Sequence, residues 1–304
     1  MNEQIKRLEE LRERTVKLLV IILTASSLIT LPFIYLVAVR TYMMQLGFFI
    51  LVFMGGGTFA ILGFATGYFK KAKEFKASYK KIFVEAPFQE AFDKVYCDFN
   101  EGISKDIISG TNLMSMGNRY YTNDYIKGSY KNVEFERADI KIQHHTSNGK
   151  RSRTVTYFNG RWLILEFNKN FHFDLQIIGK GFSYTQKNNS FFTSEKHRRH
   201  KIKMEDIRFN ENFDVYAQNE HEAFYILTPQ FMDTLKNMYN YMDGNFMLGF
   251  VDDKLHVAIH TRKDAMEPSL FSSVMEPNLE EVQREINTII HIIDRLNLDR
   301  ELYK

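Results

Sequence analysis

The chain has 304 residues, with 40 Lys and Arg against 37 Asp and Glu, a formal net charge of +3, and one cysteine, Cys97. That length admits about two domains, and one cysteine excludes an internal disulfide and any cysteine-rich zinc site. The charge is uneven: residues 1–81 carry 12 basic and 5 acidic side chains and the remainder 28 and 32, an acidic balance that argues against a general nucleic-acid binder.

Residues 2–17 read as a charged helix, with Glu10 and Arg14, and Glu13 and Lys17, at i,i+4 in the favourable order. Two apolar runs without charge follow, Leu18–Val39 and Gly47–Phe69. At about 1.5 Å per residue each reaches across a hydrocarbon core of about 30 Å, which predicts a two-helix transmembrane hairpin. Lys6, Arg7, Arg12, Arg14 and Lys17 precede the first run, Lys70, Lys71, Lys73, Lys76, Lys80 and Lys81 follow the second, and only Arg40 lies between. Basic flanks stay inside, so the expected placement is multi-pass with both termini cytoplasmic. Gly63 and Gly67 form a small-xxx-small pair, suited to packing the hairpin or to a homo-oligomer. The expected domains are 1–81, lead-in helix plus hairpin, and 82–304, a cytoplasmic α+β domain with an antiparallel sheet and packed helices.

Phe88, Ala91, Phe92, Val95, Tyr96 and Phe99 follow helical spacing after Pro87. From about Lys127 the period becomes two, and Val133–Gln143 reads as a strand. Asn159-Gly160, between Thr154–Phe158 and Arg161–Asn168, predicts a type I′ hairpin, with Trp162 just beyond it in the core. Phe171–Ile178 is a further strand, and residues 180–201 form a polar loop. Strand-like pieces follow at Lys201–Phe209, Phe213–Ala217 and Ala223–Leu227. Thr228-Pro229 opens a helix with the stripe Phe231, Leu235, Met238, Tyr239 and Met242, and Gly244 closes it. A second hairpin turns at Asp252-Asp253, pairing Phe250 with Leu255, Leu248 with Val257 and Phe246 with Ile259. Residues 277–296 carry Leu279, Val282, Ile286, Ile289, Ile293 and Leu296 on one helical face.

Asp124-Tyr-Ile-Lys-Gly128, Phe158-Asn-Gly-Arg-Trp162, Glu166-Phe-Asn-Lys-Asn-Phe171 and Met204-Glu-Asp stand in this order. Phe209-Asn-Glu-Asn-Phe-Asp-Val-Tyr216, Glu222-Ala-Phe-Tyr-Ile-Leu-Thr-Pro229 and Leu296-Asn-Leu298 complete the series. Over about residues 75–304 it resembles an uncharacterised bacterial family, the domain-of-unknown-function family numbered 3137. The resemblance implies a chain that is often membrane-anchored, which makes the bacterial inner membrane its expected place, and it brings no activity or catalytic residues.

The candidate contacts for anionic lipid or a partner are Lys70, Lys71 and Lys73 after the second run, and Lys196, Arg198, Arg199, Lys201 and Lys203 in the polar loop. His144-His145 would point to opposite faces of a strand, and His256 and His260, about 13 Å apart on one, cannot share an ion. No metal or cofactor signature appears, and Glu205-Asp206 is an acid pair without a visible substrate pocket. The expected function is a membrane-anchored cytoplasmic interaction or regulatory module, its partners the lipid bilayer and another protein, not nucleic acid. The alternatives are a membrane-bound enzyme whose site no motif shows, and a peripheral sensor of anionic lipid.

Overall fold

A computed structural model describes the backbone of residues 2–39, 44–149, 151–166, 174–182, 199–242, 245–261, 266–275 and 279–296, and the side chains of these except residues 2, 29–60 and 222. The chain forms two compact units, Met1–Ala86 with Met266–Glu281, and Pro87–Ala265 with Val282–Lys304.

In the first unit, α1 (Asn2–Val39) packs against α2 (Met44–Lys80), which ends in a π-helical turn, Lys81–Glu85. Leu8, Phe75, Phe83 and Val274 form its core. The returning segment is held by polar contacts. Arg12 donates to the Leu270 carbonyl at 2.9 Å, Glu9 accepts from the Val274 amide at 2.9 Å, and the Lys80 ammonium lies 3.1 Å from Glu267.

The expected transmembrane hairpin is overturned here. Among the described residues, no helix is long and apolar enough to cross a membrane. The backbone over both runs is helical, within α1 and α2. The first also carries Thr24 and Ser27, whose hydroxyls bond back to Val20 and Leu23. Several of the flanking basic residues are engaged within the unit: Arg12 with Leu270, and Lys76 and Lys80 with Glu267. The multi-pass inner-membrane placement with cytoplasmic termini rested on those spans and falls with them. Pro32, Arg40 and Gly55–Gly57 lie outside the described side chains. A Cβ at Gly63 or Gly67 would meet no heavy atom within 4 Å, so the hairpin does not pack closely through these glycines.

Among the described residues, the second unit is built on a nine-stranded antiparallel sheet in the order β1-β2-β3-β4-β9-β8-β5-β7-β6. The strands are β1 (Asp93–Asp98), β2 (Arg119–Tyr130), β3 (Val133–Ser147), β4 (Ser152–Glu166), β5 (Leu175–Gly179), β6 (His200–Ile202), β7 (Phe213–Ala217), β8 (Phe246–Val251) and β9 (Lys254–His260). The short helices are α3 (Ala86–Ala91), α4 (Lys105–Gly110), α5 (Ile207–Asn212) and α6 (Glu220–Ile226). The longer ones are α7 (Pro229–Tyr241) and α8 (Glu280–Arg295). Mixed α+β with a large antiparallel sheet therefore stands.

One sheet face carries Ile140, Ile142, Phe158, Trp162, Met247 and Ala258, packed with Ile103, Ile108, Leu113 and Met114 from around α4. The other face carries Phe135, Leu163, Leu165, Leu248, Phe250, Leu255 and Val257, also buried. There Phe231 of α7 reaches Phe250, with ring centroids 6.2 Å apart, and Tyr241 of α7 stacks on His291 of α8 at 5.3 Å.

Several elements match their sequence patterns. The β8–β9 hairpin has the expected register, Phe250 on Leu255, Leu248 on Val257 and Phe246 on Ile259, with Asp252 in the left-handed region at φ 53°. Thr228 caps α7 through its hydroxyl, and β7 covers Phe213–Ala217. Others differ. Residues 93–98 are a strand, because Val95, Tyr96 and Cys97 suit a pleated edge and Tyr96–Asp98 pair with Tyr125–Lys127 of β2. Residues 220–226 are a helix, since the Asn219 side chain caps the amide of His221. Of Lys201–Phe209, only the start is strand, and Asp206 caps α5. Residues 167–173, 183–198 and 243–244, and with them Gly244, lie outside the described residues.

The largest difference is at Asn159-Gly160. There is no turn, and β4 is continuous from Ser152 to Glu166. The glycine answers a different need: a Cβ there would lie 2.1 Å from the backbone oxygen of Ile259. Gly160→Ala should force β4 and β9 apart and cost about 1–3 kcal/mol. Urea unfolding checks this, and an unchanged midpoint would show that the two strands are not held at that spacing.

Candidate functional site

The expected basic residues do not gather into one site. Lys70 and Lys73 are exposed and Lys71 half-buried on α2 of the first unit, and Lys196 and Arg198 lie outside the described residues. Arg199 is buried, its guanidinium 3.7 Å from the Asp174 carboxylate and donating to the Asn112 carbonyl, so it fastens a loop. Lys201 sits 3.0 Å from Asp214, whose hydrogen bond raises the lysine pKa, and Lys203 is exposed. Asp206 is held ionised below the usual carboxylate range, chiefly by Lys236 at 2.9 Å.

A buried charge cluster lies between β3 and α8. Arg137 follows Val133 and Phe135 on the same face of β3, where a further apolar residue would be expected. Its Nε donates to Glu285 of α8, its Nη2 to Asp139 at 3.0 Å, and its Nη1 to the backbone oxygen of Asp124 at 2.9 Å. Arg161 of β4 approaches the second oxygen of Glu285 at 3.4 Å. Burial opposes the charge on Arg137, but Asp139, Glu285 and Asp124 outweigh it and raise the pKa. The signal was present in the sequence, since Glu285 interrupts the buried stripe of Val282, Ile286 and Ile289. Every polar group here is turned inward to hold elements together.

On the opposite face, the Trp162 indole donates to Nδ1 of His256 at 3.1 Å, and both residues are buried. Burial lowers the His256 pKa to about 4. That leaves the ring neutral with Nδ1 as acceptor. Nearby, Gln176 donates to the Leu113 carbonyl at 2.8 Å. These residues lock the sheet to the α4 segment. Among the described residues, no three His, Cys, Asp or Glu side chains come together as a metal ion would require.

The exposed feature with the most distinctive chemistry is an arm formed by β3 and β4 beyond a bulge at Ile142/Gln143. Its strands are His144–Ser147 and Ser152–Thr156, and Ser152–Thr156 are all exposed. His144 stacks on Tyr157 at 5.8 Å, and the His145 ring meets the Thr154 hydroxyl at 3.0 Å. The two histidines occupy opposite faces of β3, as their adjacency requires. Lys141, Arg151 and Arg153 are exposed on this part of the hairpin, and from Ile140 to Asn159 the sequence contains no acidic residue. Sequence reading passed over the arm because the Asn-Gly pair placed a turn where β4 continues.

Residues 156–298 match the family model described as "Protein of unknown function (DUF3137)". No curated protein matches the sequence. A solved structure described as the mycobacterial trehalose monomycolate transport factor A is similar at 10% identity and a TM-score of 0.37, covering 73% of this chain and 93% of its own. A likeness that slight carries no argument about fold or function.

Two outcomes follow from the buried groups. Glu285→Ala leaves the Arg137 guanidinium sealed without its main partner and should cost about 3–5 kcal/mol, whereas the double change Arg137→Met with Glu285→Leu should cost far less. A double-mutant cycle in urea showing additive losses would contradict the coupling. For His256 the folded pKa of about 4 lies below the ordinary 6.5. The unfolded chain thus binds the extra proton between these values. The contribution is full above pH 6.5 and is lost as pH falls towards 4, on the order of 3 kcal/mol in all. Unfolding free energies measured across that window should slope for the native chain and flatten in His256→Gln.

Proposed function

We propose that the chain is a module that binds another protein. The observation that supports this is the division of its charges. The buried ionisable groups Arg137, Glu285 and Arg199 face one another or the backbone and hold the fold. Exposed basic side chains collect on the β3–β4 arm, which stands outside the core and contributes little to it. Rigid strands that project polar, charged side chains beyond a packed core suit recognition, because the presenting scaffold is already ordered before the partner arrives.

A photo-crosslinking residue placed at Val155 of the full chain, in the cells that make it, should give one discrete protein adduct, and Arg153→Glu should abolish it. The same probe at Tyr225, which is exposed on α6 away from the arm in sequence, should give none. Absence of a protein adduct from Val155, Lys141 and Arg153 alike would overturn the reading.

A further inference from the structure

We propose that the outer edge of β4, Ser152–Thr156, receives an acidic peptide in extended conformation, which joins the sheet as an added strand. This rests on the reading of the chain as a protein-binding module and names the chemistry of the partner.

The register supplies the first argument. β9 pairs with β4 only over Gly160–Glu166, while β3 pairs with β4 as far out as Ser152. The last contact on the β9 side is at Asn159, whose carbonyl accepts from the Thr261 amide at 3.2 Å and whose side chain donates to the Thr261 carbonyl at 3.1 Å. Among the described residues, no strand pairs with Ser152–Phe158 on the side away from β3.

Backbone direction supplies the second. The His145 amide donates to the Asn118 side chain at 2.8 Å, and the His145 carbonyl accepts from it at 2.7 Å. Both main-chain groups of His145 thus point away from β4. Thr154 is its cross-strand partner. In an antiparallel ladder such a pair exchanges no hydrogen bonds, so the amide and carbonyl of Thr154 point outward too. Alternation gives Ser152 and Thr156 the same direction. The outward pairs recur about every 6.8 Å, the repeat of an extended chain.

Charge selects the occupant. Lys141, Arg151 and Arg153 border an edge that has no carboxylate on its own strands from Ile140 to Asn159. A second copy of the chain would bring the same positive arm against this one, and like charges on strand edges prevent that pairing. A phosphate chain or a lipid headgroup layer offers acceptors and no donors in register, leaving the outward carbonyls unanswered. A peptide strand with acidic side chains answers both the amides and the carbonyls and neutralises the arginines.

The test uses the full chain and a fluorescent peptide of alternating glutamate and valine, followed by anisotropy at low salt. A second peptide of the same sequence is N-methylated at alternate residues, so it keeps its charge and loses the donors of one edge. The first peptide should bind, and binding should weaken with salt. Methylation should weaken it about tenfold or more. Thr154→Pro should do the same while leaving the unfolding midpoint in place, because the lost amide faces outward. Arg151→Ser with Arg153→Ser should remove binding. Equal binding of both peptides would reduce the edge to a charged surface and overturn strand addition. So would no binding at low salt, tighter binding of single-stranded oligonucleotide or anionic vesicles than of peptide, or a dimer of the free chain that Thr154→Pro dissociates. The first two failures leave a crosslinked protein partner at Val155 standing, so the two readings fail separately.

Discussion

One guanidinium fixes the relation between the sheet and its C-terminal helix. Arg137 is sealed from water and needs partners in several directions at once. It finds them on α8 through Glu285, on β2 through the Asp124 carbonyl, and on its own strand through Asp139. The Asp124 carbonyl is available because the chain there enters the left-handed region, at φ 57°, within the irregular stretch of β2 between Asn123 and Ile126. A helix held only by its apolar stripe could slide or rotate by a fraction of a turn at small cost. A charge-assisted hydrogen bond inside a dry layer tolerates no such shift, since misplacement leaves a buried ion without a partner.

Both faces of the sheet are covered, so its central strands lose the alternation that one-sided antiparallel sheets show. β8 is buried at every position, and β5 likewise. The opposite face from Arg137 is closed by Trp162, His256 and Gln176 with the α4 segment, where Leu113 lies so near Gly249 that a Cβ would clash with it at 2.4 Å. This packing ends at Phe158 and Gly160. β3 and β4 are longer than their neighbour β9, and their excess length becomes the arm. The exposed basic surface is thus a by-product of strand lengths that do not match, placed at a bulge that re-aims the hairpin.

What could be read in the sequence was local or strictly periodic. The Thr228-Pro229 cap, the Asp252-Asp253 hairpin with its register, and the stripe of α8 need only neighbouring residues to explain them. Long apolar runs and flanking lysines were read by composition. That reading failed because, among the described residues, no helix is long and apolar enough to cross a membrane, and composition does not report that Arg12, Lys76 and Lys80 meet residues 267–270. Asn159-Gly160 has the chemistry of a tight turn, but the glycine is set by the carbonyl of Ile259, a hundred residues away.

By itself, then, the sequence determined the mixed α+β class, the match to the family model over residues 156–298, the caps, and the helices and hairpin whose pattern repeats within a few residues. Tertiary structure alone decided which charges are buried, that residues 93–98 pair as a strand, and that β4 is continuous through Gly160. It also decided that the outer end of β4 has a strand on one side. The physical reason is range. Capping and side-chain periodicity act over three or four residues, whereas desolvation, strand pairing and close backbone approach depend on which distant segment arrives alongside.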